Sequence, residues 1–286
     1  MRLVPEPGAD LSVIAWAPSP LLLAEGWDNA IWDVGSLPDG TPLGLRVARR
    51  ESAVELLCHE LTVLRRLAAI DEPLPMRVPR VIAAADAAVL GLWTPGRSAA
   101  WADTDELVQI AAVLARTLAR IHEVDAGELD RNPVRGCPLA QRDAALREDL
   151  RAGFLRDDHE RRARDVWEHA LAAPEWAGQD LLLHGDPHPA NVILPEDDGP
   201  TVLIDFGDTT PGDPASDLGG LWLFDPTGGV LDEYRRASGW ARDDDAWNAA
   251  VARSRGWAVR YAVAMIGAHG DDEGLGRISR TLLERI

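Results

Sequence analysis

LLLHGDPHPANVIL, residues 181–194, decides the fold. An apolar run leads into His184-Gly185-Asp186, crosses Pro187 and Pro189, reaches Asn191 and turns apolar again. Short apolar runs bounded by turn-formers read as buried strands, so the acid and the amide sit at the mouth of two strands. TVLIDFGD, residues 201–208, supplies a further strand after the turn-forming PEDDGP, and NVIL with TVLIDFGD makes a hairpin. Pairing Leu194 with Val202 would set Asn191 opposite Asp205, because paired positions in an antiparallel ladder sum to a constant. The open end of the hairpin would then present an amide oxygen beside a carboxylate, with Asp186 in the entering loop.

A sparse set of hard oxygen donors that leaves room for water and phosphate suits Mg2+ better than a closed calcium or zinc site. Asp186 would be left as a base. Phosphoryl transfer requires this division: metal held on a triphosphate, and a carboxylate that orients the attacking hydroxyl and takes its proton. Taken singly each residue is ordinary, since Asp-Pro is a common turn and Asp-Phe-Gly a common loop start. The joint pattern is far rarer.

The totals narrow the setting. The chain has 286 residues, 46% of them hydrophobic, and a net charge of 29 − 47 = −18, which argues against nucleic acid or anionic lipid as partner and favours a cationic ligand. Cys58 and Cys137 lack metal-ligand spacing and cannot build a disulfide framework. MRLVPEPGAD has no signal-peptide character, and no apolar run approaches the ~18 residues a membrane span needs. A cytoplasmic protein, monomer or homodimer, is the expectation. There is no lysine, so every basic side chain other than histidine is arginine.

Residues 20–50 read as three strands, with Pro38-Asp39-Gly40 turning the second into the third. Val54, Leu57, Leu61, Leu64 and Ala68 predict a helix, with Glu60 bordering its buried stripe and needing a partner. AAVLGLWTPGR reads as a strand ended by Pro-Gly, which sets the domain boundary: 1–93 and 94–286. Beyond it, Leu107, Ile110, Leu114, Leu118 and Ile121 mark a helix over 104–122 with Asp103 or Thr104 as N-cap. A long helical region follows over 139–173, then the hairpin, then a helical C-terminal section.

HGDPHPAN followed by IDFGD resembles the signature of the aminoglycoside phosphotransferase and choline kinase-like enzymes, and the similarity runs from about Leu21 to the C-terminus. The resemblance implies an α+β, bilobal protein kinase-like fold: a small N-terminal antiparallel sheet plus helix that binds nucleotide, and a larger, mainly helical C-terminal lobe. It implies Asp186 as catalytic base supported by His184, Asn191 and Asp205 as Mg2+ ligands, and ATP or GTP as co-substrate. His188 carries over no role. Asp213-Pro214 would cap a helix, and Asp217 would brace the catalytic loop from behind. Kinases of this type place a lysine on the third strand, paired to a helical glutamate; here Arg46 stands at that position and Glu60 follows. Arginine keeps the charge but is larger and planar. Gly26 and Asn29, in the loop Glu25–Asn29, would cover the nucleotide, and backbone near Leu90–Trp93 would read its base. Arg49 and Arg50 read as exposed charges.

The acceptor would be a small molecule, with a cationic, aminoglycoside-like antibiotic as the leading expectation and a macrolide as the runner-up. An aminoglycoside-like compound could be drawn to the acids Asp225, Asp232, Glu233, Asp243–Asp245 and Asp271–Glu273. Trp222, Trp240, Trp247 and Trp257 would suit a bulkier, less charged molecule such as a macrolide. A metabolite kinase or a nucleotide-binding pseudokinase are the other readings.

Overall fold

The computed structural model describes residues 2–26, 28–196 and 199–286. Its N-terminal part contributes β1 (Val4–Pro5), β2 (Ala15–Glu25), β3 (Asn29–Ser36), β4 (Pro42–Ala48), α1 (Glu51–Leu67), β5 (Val81–Ala85) and β6 (Ala88–Leu92). The strands form an antiparallel sheet in the order β1-β5-β6-β4-β3-β2. The expected turn closes β3 onto β4: the Leu37 amide donates to Thr41 O at 2.9 Å, and Gly40 takes φ 87°.

α1 forms where its spacing predicts, but its buried face is rotated. Ala53, Leu57, Glu60, Val63, Leu64 and Leu67 are inside, whereas Ala68 is exposed. Glu60 therefore lies within the stripe, not at its border. A carboxylate tolerates that position only with a charged partner, and Arg46 of β4 is in contact with it.

The remaining elements are β7 (Gly96–Ser98), α2 (Thr104–Ile121), α3 (Asp143–Arg151), α4 (Asp157–Leu171), β8 (Leu181–Leu183), β9 (Val192–Pro195), β10 (Val202–Leu203), β11 (Thr210–Gly212), α5 (Ala215–Leu221), α6 (Leu231–Ala237), α7 (Asp244–His269) and α8 (Leu275–Arg285). Asp103 caps α2 by accepting the Glu106 amide at 2.9 Å. The helical region foreseen over 139–173 is two helices, interrupted at Gly153, which has φ 74°. More strand is present than a lone hairpin: β9 pairs with both β10 and β7, and β8 pairs with β11. Part of the PEDDGP turn, Asp197 and Asp198, lies outside the described residues.

The hairpin register differs from the expected one by a residue. Val202 faces Ile193 and Leu203 faces Val192, so Ile204, not Asp205, comes opposite Asn191 and donates to its carbonyl at 2.9 Å. The ladder ends there, because Asp205 adopts φ 68° and turns the chain out of the strand. Sequence sums hold only while both chains stay extended.

The main core joins α2, α5 and α7 and takes in Val63, Leu64, Leu67 and Met76 from the N-terminal part. A smaller core of Ile14, Val34, Leu43, Ile82, Ala83 and Leu90 lies in the N-terminal sheet. The C-terminal end of α1 thus packs into the larger body, fixing Glu60 relative to it. Among the described residues no helix is long and apolar enough to cross a membrane.

α5 packs closely on α7 because Gly219 carries no side chain, and on the loop after β8 because Gly220 carries none. A Cβ on Gly219 would lie 2.4 Å from Trp257 Cβ, and one on Gly220 would lie 2.4 Å from Pro187 O. Gly219→Ala should therefore lower the unfolding free energy by about 1–3 kcal/mol, as overpacking does. Gly239→Ala, where nothing lies within 4 Å of the added carbon, should stay within about 0.5 kcal/mol. Urea denaturation of both variants checks the contrast.

Candidate active site

The loop after β8 is held from behind. The Asp217 carboxylate on α5, 0% exposed, accepts the His184 amide at 2.7 Å and the Gly185 amide at 2.9 Å, and lies 3.0 Å from His122 Nε2. His122 Nδ1 in turn lies 2.6 Å from the Tyr234 hydroxyl. Gly185 has φ 93°, and a Cβ there would stand 2.1 Å from Asp208 O, so only glycine fits. The Tyr261 hydroxyl donates to Gly185 O at 2.9 Å. The bracing role implied for Asp217 is present as geometry. Asp213 behaves as a structural acid: it accepts the Ala215 amide at 3.0 Å at the start of α5 and pairs with buried Arg253 at 2.7 Å.

His184, expected to support the catalytic loop, is fully buried, and its ring nitrogens meet backbone groups on either side. Its Nδ1 accepts the Asp186 amide at 3.2 Å and its Nε2 meets Ile204 O at 3.1 Å, with Phe206 packed edge-on at 4.7 Å. Burial lowers its pKa, against the upward pull of Asp217, Asp205 and Asp186, so the neutral ring ties the base's backbone to the hairpin.

Asp186 carries its carboxylate between two basic groups. Oδ2 lies 3.4 Å from His188 Nε2, and Oδ1 lies 2.9 Å from Arg135 Nη2. Oδ1 is nonetheless buried without a hydrogen bond, because the Arg135 contact has the distance but not the direction of one. Burial pushes the Asp186 carboxyl up; the charge and hydrogen bond of His188, then Arg135 and His184, outweigh it and bring it down to about 2. His188, expected to have no role beyond the turn, thus stands beside the base while its Nδ1 accepts the Ala190 amide at 3.1 Å.

Asn191 ends the same loop, nearly buried, with Nδ2 donating to Asp186 O at 2.9 Å. That leaves the carbonyl Oδ1 of its side chain for another partner. Asp205, the one non-glycine residue with positive φ among those described, turns back toward the N-terminal part, where its charge acts on Arg46. Arg46 pairs with Glu60, and burial lowers the Arg46 pKa while Asp205 raises it. Among the described residues no three His, Cys, Asp or Glu side chains are grouped to hold a metal unaided. One amide oxygen and one carboxylate, Asn191 and Asp205, fit Mg2+ whose remaining ligands are phosphate and water.

At the nucleotide end the Gly26 amide donates to Asn29 O at 2.9 Å, and Asn29 Oδ1 is buried without a partner. Trp27, between them, lies outside the described residues. Arg49 and Arg50 are more than flanking charges: Arg49 donates to Gly26 O at 2.5 Å and Arg50 Nε to Asp28 at 2.9 Å, tying the loop to the start of α1. The Leu92 and Trp93 amides are given to Arg80 O and Pro42 O, so they are not free to read a base; the Trp93 ring packs over Gly44.

The expected acceptor groups are largely committed elsewhere. Asp225 accepts from Thr227 and Val230, Glu233 pairs with Arg116 and Arg236, and Asp243 caps α7. Asp244 pairs with Arg235, Asp271 with Arg280, and Asp272 caps Gly274 and Gly276. Trp222, Trp247 and Trp257 are buried, and Trp240 packs edge-on against Trp176 at 4.9 Å. Two residues of the site escaped sequence reasoning altogether. Arg135, in RNPVRGCP, belongs to no recognisable pattern; Asp208 closes IDFGD but suggested no function there.

The model of the phosphotransferase enzyme family matches residues 21–250. The chain belongs to this family. Among curated proteins none matches it in sequence. Solved structures with the same fold include a macrolide 2'-phosphotransferase type I, at TM-score 0.60 and 22% identity over 94% of this chain and 92% of that one. The GDP complex of aminoglycoside 2'-phosphotransferase-IIIa aligns at TM-score 0.59 and 17% identity, covering 96% and 93%. Choline kinase from Cryptosporidium parvum Iowa II aligns at 0.56 and 11%, covering 97% and 89%. The chain therefore has the α+β bilobal kinase-like fold and belongs with phosphotransferase enzymes.

Removing the brace should release the loop. Asp217→Ala leaves the His184 and Gly185 amides and His122 unpaired inside the protein, and should cost about 3–5 kcal/mol, as breaking a buried charged network does. Denaturant titration measures the loss, and hydrogen exchange should speed up at His184 and Gly185 beyond the global change.

Proposed function

We propose that the chain is a Mg2+-dependent small-molecule kinase that transfers the γ-phosphoryl of ATP or GTP to an acceptor hydroxyl, with Asp186 as the base. One observation carries the reading: the buried, unbonded Oδ1 of Asp186, on a loop pinned by Asp217. Asn191 at the end of that loop and Asp205 across the hairpin are the metal ligands. Arg46, oriented by Glu60, holds the α- and β-phosphates in the place usually given to lysine. Similar solved structures are described as ATP and GDP complexes, which supports a purine nucleotide as donor.

When bound, Mg2+ neutralises charge on the transferring phosphates. The chain's own residues do the rest. His184 and Asp217 set the backbone of residues 184–186, so Asp186 Oδ1 faces the incoming hydroxyl. With its pKa at about 2, Asp186 is ionised at neutral pH and is a weak base. It receives the proton late, in keeping with the loose transition state of phosphoryl transfer.

For the acceptor, a neutral alcohol suits the site better than a polyamine sugar. The acids that would receive ammonium groups are mostly committed to caps and ion pairs, and Arg135 puts a positive charge against the base itself. The unpaired Cys58 and Cys137 suit a reducing, cytoplasmic setting.

Asp186→Asn should retain Mg-nucleotide binding and lose about 10²- to 10⁴-fold in kcat, the span of general-base assistance. Asp205→Ala should weaken nucleotide binding only when Mg2+ is present, and Arg46→Ala should raise the nucleotide KM. Steady-state kinetics with isothermal titration of nucleotide checks all three; a wild-type rate for Asp186→Asn would remove Asp186 as base.

A further inference from the structure

Arg135 lies outside the signature, yet it is the residue the structure brings closest to the business end of Asp186. It sits in the connection between α2 and α3, and that connection is tied to the segment after IDFGD at several points. The Asn132 amide donates to Thr210 Oγ1 at 2.8 Å, and Asn132 Nδ2 donates to Asp208 Oδ1 at 3.0 Å. The Gly136 amide donates to Ser216 Oγ at 3.2 Å, and Gly136 O accepts the Asp213 amide at 2.9 Å. Gly136 has φ 62°, and a Cβ on it would collide with Leu183 Cδ1 at 2.6 Å. Arg135 is therefore presented from a fixed backbone.

Its guanidinium makes three contacts. Nη2 is 2.9 Å from Asp186 Oδ1, Nε is 3.3 Å from Asp208 Oδ2, and the group lies over the Tyr261 ring at 5.2 Å from its centre. Tyr261 also holds Gly185 O, so the ring that carries the guanidinium is anchored to the loop that carries the base. Sharing its charge with Asp208 keeps Arg135 from turning its hydrogen-bond fork fully onto Asp186. The result is attraction on Oδ1 without a hydrogen bond that occupies it. An aspartate on a loop has two freely rotating side-chain bonds; here one rotamer is favoured by charge while the reacting oxygen stays available.

We propose that Arg135 is a positioning residue for phosphoryl transfer, holding the Asp186 carboxylate in its reactive orientation from outside the HGDPHPAN motif; this rests on the kinase reading above. In the step served, the acceptor oxygen forms a bond to the γ-phosphorus and its proton passes to Asp186 Oδ1. The bond from the γ-phosphorus to the β,γ-bridging oxygen breaks, and its electron pair leaves with the nucleoside diphosphate. Water can stand in for the acceptor, so slow nucleotide hydrolysis reports the same step.

The test uses the full chain with MgATP, following hydrolysis by release of labelled phosphate and, in parallel, MgATP affinity and thermal midpoint. Arg135→Ala should lower kcat about tenfold to a hundredfold, the cost of a base misplaced by about 1 Å, while the nucleotide KM stays within about twofold. Arg135→Lys, which restores charge without the planar fork, should recover at least about a third of the logarithmic loss. A purely structural role would instead lower the thermal midpoint and leave kcat per folded molecule unchanged. Should Arg135→Ala fail to fold, Arg135→Lys and Arg135→Gln decide by the same split of kcat from KM. An Arg135→Ala rate at the wild-type level, beside an inactive Asp186→Asn, would overturn the role of Arg135 and leave the kinase reading standing. Asp186→Asn hydrolysing as fast as wild type would overturn the kinase reading itself.

Discussion

A buried carboxylate, that of Asp217, is the constraint on which the site depends. An acid with no exposed surface is tolerated only when its oxygens are satisfied, and here the His184 and Gly185 amides and His122 do so. Because those partners come from the base-carrying loop and from the end of α2, folding cannot bury α5 without also setting the loop. Tyr234 extends the network by meeting His122 and accepting from Trp240 Nε1 at 2.9 Å. The loop that carries Asp186 is thus mounted on the core of the larger lobe.

The nucleotide end is tied to that core through α1. Its middle turn carries Glu60 to Arg46, and its last turns pack Val63, Leu64 and Leu67 into the main hydrophobic cluster. His59, beside Glu60, reaches Thr209 O at 2.7 Å, just beyond the IDFGD segment. Arg46, Asp205 and the hairpin therefore answer to one helix. Burying an arginine here carries a desolvation cost that the charge of Asp205 offsets only in part, while Glu60 supplies the carboxylate in contact with it.

What was legible in the sequence is what local pattern encodes. The three strands over 20–50, the strand ended by Pro95-Gly96, α1, α2 and the loop HGDPHPAN follow from apolar period, turn chemistry and caps, which depend on neighbouring residues alone. The hairpin register was not legible, because no spacing rule chooses Ile193 over Leu194 as the partner of Val202 or contains the φ of 68° at Asp205 that ends the ladder after Ile204. Nor was the buried position of Glu60, since an acid is normally assigned to a helix border and its partner lies on another strand. Arg135 and His188 were invisible as site residues for the same reason: their importance comes from which carboxylate they meet. The acceptor acids misled in the opposite direction, because a cap such as Asp243 and a cleft acid such as Asp186 look alike until their partners are known.

The central claim is that Asp186, held by this scaffold, directs a nucleotide γ-phosphoryl onto a small-molecule hydroxyl. Phosphorus NMR of the protein with ATP, Mg2+ and a pooled panel of neutral and cationic alcohols tests it most directly. The account predicts a new phosphate-monoester resonance that grows with wild-type protein and is absent with Asp186→Asn at equal nucleotide occupancy. Equal monoester formation by the two proteins, or nucleotide binding with no transfer to any alcohol or to water, would contradict it.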